Sequence, residues 1–182
     1  MILRPQKGPQ EKFLSTTADI AIYGGAAGGG KTYALLLEPL RHMNVDGYSA
    51  TIFRRNATQI TIDGGLLDES MSIYGFLKNA VFKSSPQPHW IFGGKARVSF
   101  RHIDGDRDLP KWQDSQICFI GFDELTHVSE FTFFISDKNL TCRLFCAKFE
   151  LLKIKSTQPS RQAQIYFSRL IVFCQIQGAD FL

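Results

Sequence analysis

Long apolar runs are absent from this chain of 182 residues. No stretch approaches the roughly 18 consecutive apolar residues that a membrane-spanning helix requires. The first ten residues, Met-Ile-Leu-Arg-Pro-Gln-Lys-Gly-Pro-Gln, lack the apolar segment of a secretory signal peptide. We therefore expect a cytoplasmic protein without a membrane partner.

Cysteine is scarce too, at four residues, and no two of them form a Cys-x-x-Cys pair. A zinc site built from Cys142, Cys146 and a histidine is the alternative, but this spacing matches no standard ligand set. We expect reduced, buried thiols and no metal at the four positions, which are Cys118, Cys142, Cys146 and Cys174.

Strong charge of one sign is also missing. The formal net charge is +4, and no run of five or more lysines and arginines occurs. This mildly basic balance is compatible with a nucleic-acid partner and does not require one. With 44% hydrophobic residues, the chain can bury one substantial core, enough for one domain and a fragment.

Glycine, in contrast, is concentrated in one segment. Residues 24–32 read Gly-Gly-Ala-Ala-Gly-Gly-Gly-Lys-Thr and follow the apolar residues 20–23. From Gly25 onward they form a complete G-x-x-x-x-G-K-[ST] phosphate loop. Small residues let successive backbone N–H groups approach phosphate oxygens, and a helix start favours anions. The predicted nucleotide-binding residues are Gly25, Gly28, Gly29, Gly30, Lys31 and Thr32.

The two residues that close this loop carry its chemistry. Lys31 is predicted to reach the β- and γ-phosphates as a catalytic residue, and Thr32 to place its hydroxyl on Mg²⁺. The alternative is a glycine-rich turn in another kind of strand–helix unit, which the Lys-Thr ending and the flanking segments disfavour. The pattern predicts ATP and Mg²⁺ as cofactors.

The order of elements along the chain favours a parallel sheet, because strand, loop, helix and strand follow one another. We predict strands at 20–23, 49–53 and 117–122, helices from about residue 31 toward 43 and near 66–74, and a hairpin of 90–92 with 96–103. Pro39 should kink or end the first helix early. The predicted fold class is α/β, a P-loop NTPase of RecA/ASCE type with a mostly parallel sheet, flanking helices and an incomplete C-terminus.

An acidic pair follows the strand predicted at 117–122. Open α/β sheets bind ligands at the carboxyl ends of such buried strands. Asp123 is predicted to hold Mg²⁺ through its water shell, opposite Thr32, and Glu124 to orient and deprotonate the attacking water. The alternative is that both residues cap a following helix. Combined with the phosphate loop, the pair predicts an ATP hydrolase.

Several motifs together resemble the ATPase domain of bacteriophage terminase large subunits, over about residues 5–134. They are the segment 18–38, FRR at 53–55, GGLLDES at 64–70 and IGFDELTH at 120–127. The resemblance implies an ATP-driven motor that pumps double-stranded DNA into a viral procapsid in the host cytoplasm. It also implies a small subunit, a portal ring and further copies of the chain as partners.

The same resemblance implies roles for three further residues. Gln10 matches a glutamine that reads adenine, the alternative being a solvated glutamine in a polar tail. Arg54 and Arg55 are candidates for an arginine that stabilises transition-state charge. Relatives carry a basic residue inside the phosphate loop, where residues 26–29 are Ala, Ala, Gly and Gly. That role therefore falls elsewhere or to a neighbouring subunit.

The resemblance ends after Phe134. The Thr/Ser-rich coupling segment of the family is not found, and too few residues follow for its RNase H-like nuclease domain. We predict an ATPase domain at 1–134 and an atypical tail at 135–182, from a truncated or frame-disrupted gene without nuclease activity. Two alternatives stay open: a non-productive nucleotide-binding remnant, and a helicase-type ATPase, which would need a second RecA-like lobe.

Overall fold

The structure is a computed structural model that describes residues 3–18, 20–25, 28–104, 107–108, 112, 117–124 and 169–175. Within these ranges the helices are α1 (Pro9–Ser15), α2 (Lys31–Leu37), α3 (Ala57–Thr61) and α4 (Leu66–Tyr74). The strands are β1 (Ile20–Gly25), β2 (Ser49–Arg54), β3 (Ala80–Lys83), β4 (His89–Phe92), β5 (Ala96–His102), β6 (Phe119–Phe122) and β7 (Arg169–Gln175). No described helix is long and apolar enough to cross a membrane.

These strands form one sheet in the order β1-β7-β6-β2-β5-β4-β3. The pairings from β1 through β7, β6 and β2 to β5 are all parallel, whereas β4 and β3 are added antiparallel to one side. The predicted α/β fold with a mostly parallel sheet is confirmed. So is the predicted hairpin, which β4 and β5 form.

The first long helix breaks where the sequence predicted it. α2 ends at Leu37, and a 3₁₀ turn takes over at Glu38–His42. Pro39 causes the break because its ring removes an N–H donor and clashes with the preceding turn. The turn is held by an ion pair of 2.9 Å between Arg41 Nε and Glu38 Oε2.

Three short elements were not predicted, namely α1, α3 and β3. They have seven, five and four residues, too few for a clear hydrophobic period. Local side chains define the helix starts instead. The Glu11 carboxylate accepts a hydrogen bond from the backbone N–H of Gly8 at 3.3 Å. In the same way, Asn56 Oδ1 accepts one from the backbone N–H of Thr58 at 3.1 Å.

One central strand comes from the segment predicted as an atypical tail. β7 lies between β1 and β6, pairing Ile20 with Leu170 on one side and Phe119 with Arg169 on the other. Residues 169–175 therefore belong to the same sheet as the phosphate loop. The predicted boundary at 134 and the remainder of the tail, with Cys142 and Cys146, lie outside the described residues and stay predictions.

The core on one sheet face is built by α2 and α4 against the central strands. Leu35, Leu36 and Phe100 have no exposed surface. Trp90 is a packing residue, as predicted; its indole Nε1 donates a hydrogen bond to Ser70 Oγ at 3.0 Å. Cys118, a free thiol, packs against the same core.

Gly121 brings the helix after the phosphate loop against β6. A Cβ placed on Gly121 would lie 2.5 Å from Leu35 Cδ1 and 3.3 Å from Phe119 Cε1. The absence of a side chain at this position therefore fixes how closely α2, and with it the loop, approaches the strand that ends in Asp123.

We expect Gly121→Ala to lower the free energy of unfolding by about 1–3 kcal/mol, because the added methyl group would force the fully buried Leu35 to shift. Urea unfolding followed by circular dichroism measures this loss. Adding Leu35→Ala supplies the missing space, so the double variant should lose less than the sum of the two single losses. Strictly additive losses would contradict the contact.

Candidate nucleotide-binding site

The turn between β1 and α2 contains two glycines in a conformation that other residues rarely adopt. Gly28 (φ 77°) and Gly30 (φ 65°) both lie in the left-handed region, which glycine adopts without strain. The backbone carbonyl of Gly30 accepts the first helical hydrogen bond from Ala34 N–H at 3.0 Å. Gly28 and Gly29 are exposed, and Lys31 and Thr32 are half-buried. Ala26 and Ala27 lie outside the described residues.

Gln10 lies against this loop and is only 2% exposed. Its Nε2 donates a hydrogen bond to the Gly30 carbonyl at 3.0 Å, and its Oε1 accepts one from Gln6 N–H at 2.8 Å. The alternative of a solvated glutamine in a polar tail is therefore wrong. Each end of the amide keeps one further hydrogen-bonding position, and the contact with adenine stays a prediction.

Asp123 lies at the end of β6 and is 3% exposed. Its N–H donates to the Phe53 carbonyl at 2.9 Å, which continues the pairing with β2. Burial raises the pKa of Asp123 above its usual 3.8, and the charge of Glu124 adds to the rise, whereas the charges of Arg54 and Lys31 oppose it.

Glu124 has a strained backbone. Its φ of 64° is the one positive value at a non-glycine residue among the described residues. The left-handed region costs a residue with a Cβ about 1–2 kcal/mol, and such strain concentrates at functional sites. The residue predicted as the catalytic base is thus held in an unfavourable conformation.

Arg54, at the end of β2, contacts both acidic residues. Its Nη2 lies 2.9 Å from Asp123 Oδ2 and 3.6 Å from Glu124 Oε1, and its Nη1 donates to the Gln59 carbonyl at 2.7 Å. The buried Asp123 Oδ2 therefore has the Arg54 guanidinium as its counter-ion.

Arg55 is separated from this cluster. It is exposed and lines an open depression of about 500 Å³ next to the ends of β2 and β5. The other residues that line the depression are Asn56, Ala57, Gln59, His102 and Asp104. The structure therefore divides the two arginines that the sequence grouped: Arg54 faces the acidic pair, and Arg55 faces the surface.

Glu69 was not predicted as a site residue, although it lies in the GGLLDES segment. It projects from α4 and is half-buried. Burial raises its pKa above 4.5, the charge of Asp123 raises it further, and Arg54 opposes the rise. α4 comes near the end of β6 only in the tertiary structure. Apart from the GGLLDES motif, no pattern in the sequence could therefore indicate that Glu69 belongs to the site.

The donors at this site suit magnesium. Asp123 places a buried carboxylate at the end of β6, and Thr32 offers a hydroxyl at the start of α2. Mg²⁺ prefers oxygen ligands and uses one or two protein groups together with phosphates and water. No group of three or more His, Cys, Asp or Glu side chains that could bind a metal occurs among the described residues.

The fold is that of a P-loop NTPase. It has a phosphate loop after β1, a buried acidic residue at the end of β6, and the strand β7 between β1 and β6. Residues 22–144 match the family model of the terminase large subunit, T4-like-virus type, N-terminal part. The chain belongs to this family. No curated protein matches its sequence.

Solved terminase structures share the fold. The large terminase of a thermophilic bacteriophage aligns with a TM-score of 0.63 at 13% identity, over 94% of this chain and 39% of that one. The same terminase in complex with ADP gives a TM-score of 0.59 at 14% identity, over 94% and 39%. The large-terminase ATPase domain of Thermus phage P74-26 gives 0.57 at 12%, over 96% and 66%. This chain thus spans 39% of the length of the large terminase that it matches.

We expect Glu124→Gly to be more stable than Glu124→Ala by about 0.5–1 kcal/mol, because glycine relieves the left-handed backbone and alanine does not. Both variants lack the carboxylate, so the comparison isolates the backbone. Urea unfolding of the two variants measures the difference. If alanine proves as stable as glycine here, the backbone of Glu124 is not strained.

Glu69→Gln should stabilise the protein at neutral pH. Because the folded-state pKa of Glu69 is raised, its contribution to stability is fully present below the unfolded value of 4.5 and is lost as the pH rises through the folded value. Glutamine avoids this loss, so the advantage of the variant should shrink as the pH falls toward 4.5. Unfolding curves across this range test it, with the exposed Asp63→Asn as control. An advantage that grows on acidification would contradict the prediction.

Proposed function

We propose that this chain is the ATPase part of a motor that packages double-stranded phage DNA. The observation that carries the proposal is the left-handed glycine turn before α2 together with the buried Asp123 at the end of β6, in a chain whose residues 22–144 belong to the terminase large-subunit family. Support also comes from two structural neighbours, one a large-terminase ATPase domain and one a large terminase in complex with ADP.

In the proposed binding mode, the phosphates of ATP lie along the loop. Backbone N–H groups of the loop glycines and the Lys31 ammonium donate to phosphate oxygens. Gln10 pairs with the adenine edge through its remaining donor and acceptor. Thr32 and Asp123 would hold Mg²⁺, which when bound neutralises phosphate charge. The loop glycines are Gly25, Gly28, Gly29 and Gly30.

In the proposed reaction, Glu124 orients a water molecule and accepts its proton. The water oxygen forms a bond to the γ-phosphorus while the bond to the oxygen bridging to the β-phosphate breaks, which releases phosphate and ADP. Lys31 stabilises the negative charge that develops on the phosphate oxygens. An arginine supplied within the site or by a neighbouring copy would add to this, and Arg54 and Arg55 stay predicted for that role.

The wider assembly follows from the family. We propose double-stranded DNA, a terminase small subunit, a portal ring and further copies of this chain as partners, acting in the cytoplasm of the host. Nuclease activity is not part of the proposal. No specific observation favours the nucleotide-binding remnant or the helicase-type ATPase. The assay with double-stranded DNA described below distinguishes the remnant from a working motor domain.

Two substitutions separate binding from turnover. Lys31→Ala should weaken ATP affinity by about a hundredfold, since two charge-assisted hydrogen bonds are lost. Glu124→Gln should keep the affinity and lower kcat by about 10²–10⁴-fold, the usual contribution of a general base. Calorimetry and phosphate release measure the two effects, and the exposed Lys78→Ala is the matched control for the lysine.

Repeating the phosphate-release assay with double-stranded DNA tests whether this domain works as a packaging motor. A working packaging domain should hydrolyse ATP faster when DNA is present. Hydrolysis that depends on Lys31 but is unchanged by DNA would support the remnant instead. Equal turnover in Glu124→Gln and the parent protein would remove Glu124 from the role of base.

A further inference from the structure

The segment that forms β3, β4 and β5 carries an unbalanced positive charge. Residues 70–103 contain five lysines and arginines and no aspartate or glutamate. The formal charge of this segment, +5, exceeds the +4 of the whole chain, so the remaining residues are in sum slightly acidic. Because the segment folds into three neighbouring strands, its charge is concentrated on one part of the molecule. The five basic residues are Lys78, Lys83, Lys95, Arg97 and Arg101.

Three of these side chains lie on one face of the sheet. Every second residue of β5 from Ala96 to Phe100 packs in the core, so Arg97 and Arg101 lie on the opposite face. Through the pairings of β3 with β4 and of β4 with β5, Lys83 is in register with the position midway between the two arginines. Lys83 and Arg97 are exposed, and Arg101 is half-buried. We call these three residues the basic face.

The basic face has no acidic partner among the described residues. The ion pairs in that part of the chain all involve other basic side chains. The guanidinium of Arg101 donates to the backbone carbonyl of Phe100 at 3.0 Å, a contact that leaves its charge uncompensated. Burial lowers the pKa of Arg101 below its usual value, and the charge of Arg97 lowers it further. The two arginines therefore repel each other in the folded protein.

We propose that the basic face binds the phosphate backbone of double-stranded DNA. The inference rests on the function proposed above, which makes DNA a partner, and it assigns the part of this domain that the duplex contacts. β3 and β5 lie toward one edge of the sheet, whereas the phosphate loop follows β1 at the other edge. DNA and ATP are thus bound by different strands of one rigid sheet.

The spacing of the charges suits an extended polyanion. Arg97 and Arg101 are four residues apart on one strand, about 13 Å at roughly 3.4 Å per residue. Lys83 lies two strands away, about 10 Å at roughly 4.8 Å per strand. A site for a small anion is concave and its polar groups converge. A duplex instead presents phosphates along its whole length, and arginine forks match their geometry.

Protection of the sheet edge accounts for only one of the three residues. β3 is an edge strand, and a lysine on such a strand blocks pairing with another chain. Arg97 and Arg101 lie on β5, which has β2 and β4 as neighbours, so they protect no edge. Their mutual repulsion requires a different explanation, and a bound polyanion supplies the missing counter-charge.

Neutralising the basic face tests the proposal. In fluorescence-anisotropy titrations with a labelled DNA duplex, Lys83→Gln, Arg97→Gln and Arg101→Gln should each weaken binding by about tenfold, because one charge-assisted contact is lost. The slope of log affinity against log salt should become shallower by about 0.9 for each contact removed. A second duplex of unrelated sequence should show the same losses, since phosphate contacts carry no sequence information.

Lys95→Gln is the matched control for these substitutions. Lys95 belongs to the same segment and is exposed, but its Nζ already lies 3.1 Å from Asp46 Oδ1. Its replacement should change neither the affinity for the duplex nor the salt slope to a comparable extent.

Two further measurements separate DNA binding from ATP binding and from folding. The triple variant should hydrolyse ATP at the parent rate without DNA, and DNA should no longer accelerate it. Arg97→Gln should not lower the unfolding temperature, because it removes the repulsion that acts on Arg101. A lower unfolding temperature for Arg97→Gln would show that this residue supports the fold.

Three results overturn the inference. If the triple variant binds the duplex with the affinity and salt slope of the parent protein, the DNA lies elsewhere. If the substitutions change only the oligomeric state in sedimentation velocity, the basic face binds an acidic protein surface. A parent protein that binds no duplex also removes the proposal. Failure of the proposed ATPase function has a different signature, the absence of Lys31-dependent hydrolysis, and the binding titrations do not depend on it.

Discussion

The parallel pairing of β2 with β6 is the constraint on which the site depends. Its register places Phe53 beside Phe122 and continues through the hydrogen bond from Asp123 N–H to the Phe53 carbonyl. The next residue of β2 is Arg54, so its guanidinium meets the acidic pair at the point where both strands end. A shift of one residue would turn Arg54 to the opposite face. The charges of the site are therefore set by backbone pairing before any ligand arrives.

The site also contains two features that destabilise the folded state. Asp123 is a buried carboxylate, and Glu124 has a left-handed backbone. Both features cost free energy that the surrounding core must offset. Leu35 belongs to that core and lies against Gly121, in the strand that leads to both residues.

Local patterns made part of this predictable. The glycine-rich loop, the break at Pro39 and the acidic end of a buried strand each depend on neighbours in sequence, and the structure has the elements where they were predicted. The burial of Gln10, the two-sided contacts of Arg54 and the proximity of Glu69 to Asp123 could not be read in this way. Each of these depends on which strands are neighbours and on the helix packed over them, and no period or motif encodes that. The position of β7 was missed for the same reason, since a central strand shows only an apolar run.

β7 gives the chain a particular order of assembly. The phosphate-loop strand and the strand that ends in Asp123 do not pair with each other; β7 is hydrogen-bonded to both. Ile20 must wait for Leu170 to be synthesised, so the two halves of the site come together late on the ribosome. Contacts this distant in sequence form slowly and leave strand edges open meanwhile. A nascent chain that has made every residue of the site still lacks the strand that joins the two halves.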